Sequence, residues 1–103
     1  MHLGHMNLIE HRLDVRADQR VLILELLQTY LPDTEVWAYG SRVNQTSKPA
    51  SDLDLVAFTQ HKQKAAVSDL REAFEESNLP FRVDFFEWND IPESFQQQIK
   101  AKY

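Results

Sequence analysis

Two short apolar runs, each typical of a β-strand, are joined by a polar loop. Small and acidic residues stand at the two ends of that loop, next to the predicted strands. The first run ends at Tyr39 and is followed by Gly40 and Ser41, and the second follows Asp52 and contains Asp54. β-Branched and aromatic residues favour the pleated surface of a sheet, so both runs are predicted strands. Side chains two positions apart on a strand lie on the same face, which directs both carboxylates into one space. A Gly-Ser turn and a pair of carboxylates are therefore expected on two successive strands.

The remaining pattern predicts a single small domain with helices and strands. Apolar residues at three- and four-residue steps predict helices, and short apolar runs rich in β-branched and aromatic residues predict strands. The predicted helices span 16–30, 41–45, 64–77 and a last segment that opens at Pro92, and the predicted strands span 35–39, 53–58 and 81–86. This order predicts the fold class α+β (an α/β two-layer arrangement), a small mixed β-sheet packed against helices. Residues 16–103 are expected to form the domain, after a poorly anchored N-terminal segment, 1–15.

The spacing of apolar side chains also predicts which residues are buried. The expected stripe of the first helix is Val21, Leu24, Leu27 and Leu31, widened by Ile23, Leu26 and Tyr30. The later stripes are Val67, Leu70 and Phe74, and then Phe95 and Ile99. On the second strand, one face is expected to carry Leu53, Leu55 and Ala57, and the other Asp52, Asp54 and Val56. The large aromatic residues are expected mostly in the core, with some at an exposed patch that docks a partner: Trp37, Tyr39, Phe85, Phe86 and Trp88.

Composition excludes several classes of protein. The 103 residues include no cysteine, which excludes disulfides and zinc sites made of thiolates. The net charge of −5 gives no broad basic surface for nucleic acid, and no apolar stretch approaches the roughly 20 residues of a membrane span. We therefore expect neither nucleic acid nor a membrane as a partner. The N-terminus lacks a secretory pattern, and a cytoplasmic location is the default expectation.

A third carboxylate, Asp84, lies in the middle of the third predicted strand between apolar residues. A charged side chain there is costly unless something compensates for its charge. If the second and third strands are neighbours, Asp84 converges with Asp52 and Asp54, and three anions a few ångströms apart repel strongly. A divalent cation relieves that repulsion, and oxygen ligands favour Mg²⁺ or Mn²⁺. The alternatives are that Asp52 and Asp54 are ordinary surface acids and that Asp84 is paired with Arg42 or Arg82.

The Gly-Ser pair supplies features that a phosphate group requires. Gly40 has no side chain, so a phosphate can approach its backbone closely. Ser41 offers a hydroxyl and a backbone N–H where anions are favoured, and capping of the helix would use the same hydroxyl. Arg42 and Lys48 add positive charge nearby, although Arg42 could equally be a surface cation or a partner of an acid, and Lys48 a solvated loop residue. Phosphates beside carboxylates suit metal-dependent phosphoryl or nucleotidyl transfer.

These residues and their spacing resemble a known family. The strings 40–42 (Gly-Ser-Arg) and 51–55 (Ser-Asp-Leu-Asp-Leu) are similar to the motif of the DNA polymerase β-like nucleotidyltransferase superfamily, and the short chain resembles its minimal nucleotidyltransferase (MNT) group. The resemblance covers about 21–103 and implies the nucleotidyltransferase fold. It implies a Mg²⁺-dependent enzyme that transfers an adenylyl group from ATP to a hydroxyl acceptor. Since MNT proteins commonly neutralise a HEPN-domain toxin, a ribonuclease, it also implies an antitoxin in a hetero-oligomer.

The resemblance implies a role for each residue of the motif. The nucleotide would be bound by Gly40, Ser41 and Arg42. The catalytic and metal-ligating residues would be Asp52, Asp54 and Asp84, the last of which would help to deprotonate the acceptor hydroxyl. The family usually continues Gly-Ser-Arg with Ala-Arg-Gly, whereas this chain has Val43, Asn44 and Gln45. Because glutamine cannot adopt left-handed backbone angles as cheaply as glycine, the exchange bears on loop shape and nucleotide affinity.

Two other functions remain open at this point. A module that neutralises a partner by docking, with little or no catalysis, is favoured by the altered segment 43–45 and opposed by the intact carboxylates. A metal-dependent phosphohydrolase would use the carboxylates but leaves the Gly-Ser pair unexplained. Among acceptors, a protein hydroxyl is favoured over an RNA 3′-hydroxyl because the chain is acidic.

Overall fold

The computed structural model describes residues 13–44 and 47–102. The helices are α1 (Ala17–Tyr30), α2 (Ser41–Asn44), α3 (Lys64–Glu75) and α4 (Glu93–Lys102), and the strands are β1 (Val36–Tyr39), β2 (Leu53–Ala57) and β3 (Val83–Glu87). Short 3₁₀ turns precede α3 and α4, at His61–Gln63 and Trp88–Asp90. Each predicted element is present, with boundaries within about two residues of the prediction. No helix in the described ranges is long and apolar enough to cross a membrane.

The three strands form one sheet in the order β1-β2-β3. β1 runs antiparallel to β2, and β3 runs parallel to β2. A parallel pair requires a crossover connection, and α3 supplies it. The sheet is therefore mixed and packed against helices, which confirms the predicted fold class. Because β2 is central, Asp54 lies opposite Tyr39 of β1 and also opposite Asp84 of β3.

One face of the sheet packs against α1 and α3 and carries the larger hydrophobic core. The side chains that β2 directs to this face are fully buried, as their alternation predicted: Leu53, Leu55 and Ala57. The helices contribute Ile23, Leu27, Val67, Leu70 and Phe74. This core fixes the register of β2, because a slip by one residue would turn Asp54 into the core and Leu55 out of it.

The other face of the sheet carries a smaller apolar cluster, formed by Tyr39, Val56, Ile91 and Ile99. Ile99 comes from α4 and is buried as predicted, whereas Phe95, predicted on the same inward face, is 37% exposed. Phe95, one turn earlier, packs edge-on against the ring of Tyr39. Next to this cluster, three aromatic rings contact one another: Trp37, Phe58 and Trp88. The acidic face of β2 is therefore bounded by an apolar cluster on the same side of the sheet.

Two predictions about burial and anchoring need correction. Val21 is 51% exposed and does not belong to the buried stripe of α1, whereas Ile23, expected only to widen that stripe, is fully buried. The segment predicted to be poorly anchored, 1–15, lies mostly outside the described residues, but its end is fixed. Leu13 is buried in the larger core, and the backbone N–H of Asp14 donates to the carbonyl of Arg42 at 2.7 Å.

Candidate active site

β1 ends at a glycine whose backbone conformation and close neighbour both exclude a side chain. Gly40 has a φ of +85°, which L residues rarely adopt. A Cβ atom built there would overlap with Oδ2 of Asp54 and lie 3.3 Å from its Cγ. Gly40 thus allows the chain to turn from β1 into α2 while the Asp54 carboxylate lies directly against the backbone.

The two central carboxylates lie side by side on the parallel strands. Asp54 of β2 is in register with Asp84 of β3, and strand alternation places both side chains on the same face of the sheet. Burial, followed by the negative charges of Asp84 and Asp52, raises the pKa of Asp54 from 3.8 to about 6. The neighbouring placement of the second and third strands, on which the predicted acidic cluster depended, is therefore present.

The third carboxylate, Asp52, is connected to this pair through Arg82. Nη2 of Arg82 lies 3.0 Å from Oδ2 of Asp52 and 3.4 Å from Oδ2 of Asp84. Nε of Arg82 lies 3.0 Å from Oδ1 of Asp84. The guanidinium therefore bridges two of the carboxylates, and its charge opposes the increase in the pKa of Asp54. Of the two partners considered for Asp84, it is Arg82 that pairs with it.

The described residues do not contain a preassembled metal cage. No group of three or more His, Cys, Asp or Glu side chains among them is arranged to hold a metal ion. Asp54 and Asp84 contact each other directly, whereas Asp52 reaches Asp84 through the guanidinium of Arg82. The structure therefore brings the three predicted ligands to one face and one end of the sheet, with two of them held in ion pairs.

Arg42 has a structural role that differs from the predicted contact with nucleotide. Its side chain is 5% exposed, and its guanidinium carbon lies 3.9 Å from the ring centre of Phe81. Four hydrogen bonds of 2.7 to 3.3 Å run from the guanidinium to the backbone carbonyls of Asp14, Lys48, Pro49 and Ser51. A guanidinium has only five N–H donors, so Arg42 is committed to holding the loop against the N-terminal segment.

The remaining residues predicted to lie near the phosphates are Ser41 and Lys48. Ser41 begins α2 next to Gly40, and the carbonyl of Gly40 accepts the N–H of Val43 at 3.0 Å, which closes the turn. Lys48 is exposed in the loop, and its backbone N–H donates to Oγ of Ser51 at 2.8 Å. Lys48 therefore fits the alternative of a solvated loop lysine. Residue 45, part of the altered segment, lies outside the described residues.

Tyr39 is a neighbour of the acidic cluster that the sequence did not identify as a site residue. It lies opposite Asp54 in the β1–β2 register and is almost completely buried. Burial and the negative charges of Asp54 and Asp84 raise the pKa of its hydroxyl, which therefore stays neutral. The sequence signal for Tyr39 was its position directly before Gly40, because the antiparallel register of β1 and β2 places that position opposite Asp54.

Comparison with known proteins agrees with this arrangement. Residues 22–102 match the family described as "Polymerase beta, Nucleotidyltransferase", a range that includes Gly40 and all three carboxylates. The chain is 39% identical over 93 residues to a protein of Haemophilus influenzae named "Probable protein adenylyltransferase MntA". The aligned region covers 89% of this chain and 82% of that protein. The chain therefore belongs to the polymerase β nucleotidyltransferase family, as a nucleotidyltransferase of the MNT type.

Proposed function

We propose that this nucleotidyltransferase is a Mg²⁺-dependent enzyme that moves the adenylyl group of ATP to a hydroxyl on a protein. The observation that carries the proposal is the paired carboxylates of Asp54 and Asp84, with the backbone of Gly40 directly against Asp54. This corner of the sheet combines ligands for a metal with a backbone that a phosphate can approach. The name of the Haemophilus influenzae relative, a protein adenylyltransferase, supports both the adenylyl group and the protein acceptor.

The donor set suits magnesium, with manganese as a substitute. Asp52, Asp54 and Asp84 offer only carboxylate oxygens, which both ions prefer. Burial, followed by the negative charges of Asp84 and Asp52, raises the pKa of Asp54, and a divalent cation would supply positive charge that offsets both effects. These three residues would hold the ion once the contacts with Arg82 give way. When bound, the ion would neutralise charge on the triphosphate and favour attack at its α-phosphorus.

Residues of the chain bind the triphosphate and accept the proton of the acceptor. The backbone at Gly40 and the N–H and hydroxyl of Ser41 bind the triphosphate. The acceptor oxygen forms a bond to the α-phosphorus, the bond from that phosphorus to the α–β bridging oxygen breaks, and pyrophosphate leaves with the electron pair. Asp84 takes the proton of the acceptor hydroxyl. A groove of about 690 Å³ lies at the β3 edge of the sheet, and Asp84 is among the residues of α3 and β3 that line it, so an acceptor could approach Asp84 from this edge.

For the acceptor, we propose a HEPN-domain toxin, so that the chain acts as an antitoxin within a hetero-oligomer. The support is the resemblance to the MNT group together with exposed apolar side chains near the acidic face. Phe86 follows Asp84 by two residues on the same face of β3 and is 41% exposed, and Phe95 of α4 is 37% exposed. Exposed aromatic side chains of this kind are suited to contacts with another protein.

The test is incubation of the full chain with labelled ATP, Mg²⁺ and the HEPN-domain protein encoded beside it, followed by mass spectrometry of that protein. We expect an adenylyl adduct with the native chain and none with Asp52→Asn. Asp69→Asn is the matched control, because Asp69 is an exposed acid on α3, away from the cluster. A stable complex of the two native proteins with no adduct would overturn the enzymatic proposal.

Neutralisation by docking alone remains the second candidate function. It is favoured by the ion pairs of Arg82, which leave the described carboxylates without a preassembled metal cage. An Asp52→Asn/Asp54→Asn double variant separates the two functions. Full neutralisation of the toxin by this variant would establish docking, and loss of neutralisation with the complex intact would establish catalysis.

A further inference from the structure

We propose that Arg82 is a built-in counter-ion of the acidic cluster, and that a divalent cation must displace it in order to bind Asp52 and Asp84. The inference deepens the proposed function and depends on it, because it concerns the same metal site. It assigns to Arg82 the role of a competing positive charge that lowers the affinity of the site for metal.

The contacts of Arg82 use the oxygens that a metal would need. Its guanidinium contacts Oδ2 of Asp52 at 3.0 Å, Oδ1 of Asp84 at 3.0 Å and Oδ2 of Asp84 at 3.4 Å. Both oxygens of Asp84 are therefore engaged, together with one oxygen of Asp52. A carboxylate cannot point the same lone pairs at a guanidinium and at a metal ion, so the two cations compete.

The position of Arg82 directly before β3 places its side chain beside the carboxylates with which it competes for metal. Arg82 precedes β3 by one residue and Asp84 by two, and residues two apart on an extended chain direct their side chains to the same side. Its backbone carbonyl accepts the N–H of Leu53 at 2.9 Å, which fixes the main chain beside β2. The backbone thus places Arg82 beside the acidic face, and the position of its guanidinium there does not depend on packing of the side chain.

The guanidinium is also free to move away from the cluster. The side chain of Arg82 is 71% exposed, so it can be solvated elsewhere at little cost. Exposed ion pairs are individually weak and are screened by salt, whereas a divalent ion carries twice the charge and binds several carboxylates at once. Displacement therefore favours the metal at sufficient concentration, while Arg82 reduces the affinity below that of the carboxylates alone.

The experiment measures Mn²⁺ binding to the full chain by electron paramagnetic resonance, without nucleotide. For Arg82→Gln, which removes the charge but keeps the backbone contacts, we expect a Kd for Mn²⁺ about 3- to 10-fold lower than that of the native chain. For Arg82→Lys, whose ammonium cannot bridge two carboxylates in the same way, we expect a Kd between the two. The difference between Arg82→Gln and the native chain should shrink as NaCl is raised.

Arg16→Gln is the matched control for the loss of one exposed arginine. Arg16 is also 71% exposed and is also paired with an aspartate, since its Nη2 lies 3.0 Å from Oδ2 of Asp18. This variant should bind Mn²⁺ as the native chain does. An equal or higher Kd for both Arg82 variants would overturn the counter-ion role. If the native chain itself bound no Mn²⁺ in an Asp54-dependent manner, the proposed function would fail first, so the two failures are distinguishable.

Discussion

The central carboxylate is placed at a cost to stability, and Asp54→Asn should reveal that cost. Asparagine has nearly the same shape as aspartate but no charge, so it can occupy the position between Gly40 and Asp84 without repulsion. The folded chain holds the pKa of Asp54 at about 6, compared with 3.8 for the isolated group. Because the pKa is raised by folding, the ionised carboxylate destabilises the fold, and the penalty develops as pH rises from about 4 to about 6.

The size of the penalty follows from the pKa difference. About two pH units correspond to about 3 kcal/mol if the whole difference is counted. Asp54 is only partly buried, so solvent screening reduces this figure, and we expect about 1 kcal/mol. Without divalent ions at about pH 7.5, Asp54→Asn should therefore be the more stable protein, with a Tm roughly 4–8 °C higher. At about pH 4 most of this difference should disappear, because Asp54 is then protonated in the folded state and roughly half protonated in the unfolded chain.

Urea unfolding in EDTA at both pH values measures this difference. Asp69→Asn, at an exposed position on α3, controls for the general effect of removing one negative charge from an acidic chain. A less stable Asp54→Asn protein at about pH 7.5, or an increase in stability that persists at about pH 4, would refute the reasoning. The same variant should lose Mn²⁺ binding, so that one substitution raises stability and removes the metal site.

Three further predictions test other parts of the site. Gly40→Ala should lose about 1–2 kcal/mol of stability, since alanine is strained at φ +85° and its Cβ overlaps with Asp54; native stability in urea unfolding would contradict this. Arg42→Ala should lose about 3 kcal/mol, because buried carbonyls lose a charged donor, and a change below about 1 kcal/mol would show that the loop is held by other contacts. Mg²⁺ with ATP at millimolar concentrations should raise the Tm of the native chain, as any ligand of the folded state does, and should have no effect on Asp52→Asn.

The features that sequence could predict are those encoded by local periodicity. Alternation along β2 correctly separated Leu55 from Asp54. The convergence of Asp84 with Asp54 was conditional on β2 and β3 being neighbours, and the structure meets that condition. Burial in α1 was harder, because apolar residues occur almost all around that helix and periodicity alone does not select between Val21 and Ile23. The assignment of metal and nucleotide to these residues remains a prediction.

The features that sequence missed depend on contacts between distant segments. Arg42 donates to the carbonyl of Asp14, 28 positions earlier, and stacks on Phe81, which lies beyond β2. Neither partner is recognisable from the Gly-Ser-Arg motif, which would equally suit an arginine that faces a phosphate. The anchoring of Leu13 was missed for the same reason, because its burial depends on the larger core that the sheet and helices assemble.

Burial of the apolar side chains on one face of the sheet determines which side chains lie on the acidic face. Leu53, Leu55 and Ala57 fix β2 in register by burial, and the alternation of the strand then requires Asp54 to face the opposite side. That side cannot relax away from the repulsion, because a slip of the strand would bury a carboxylate in the larger core. The repulsion is therefore maintained by hydrophobic packing, and a proton on Asp54, the guanidinium of Arg82 or an added cation relieves it. The register that buries Leu53, Leu55 and Ala57 therefore also keeps the carboxylates close together, and a group of close carboxylates attracts positive charge.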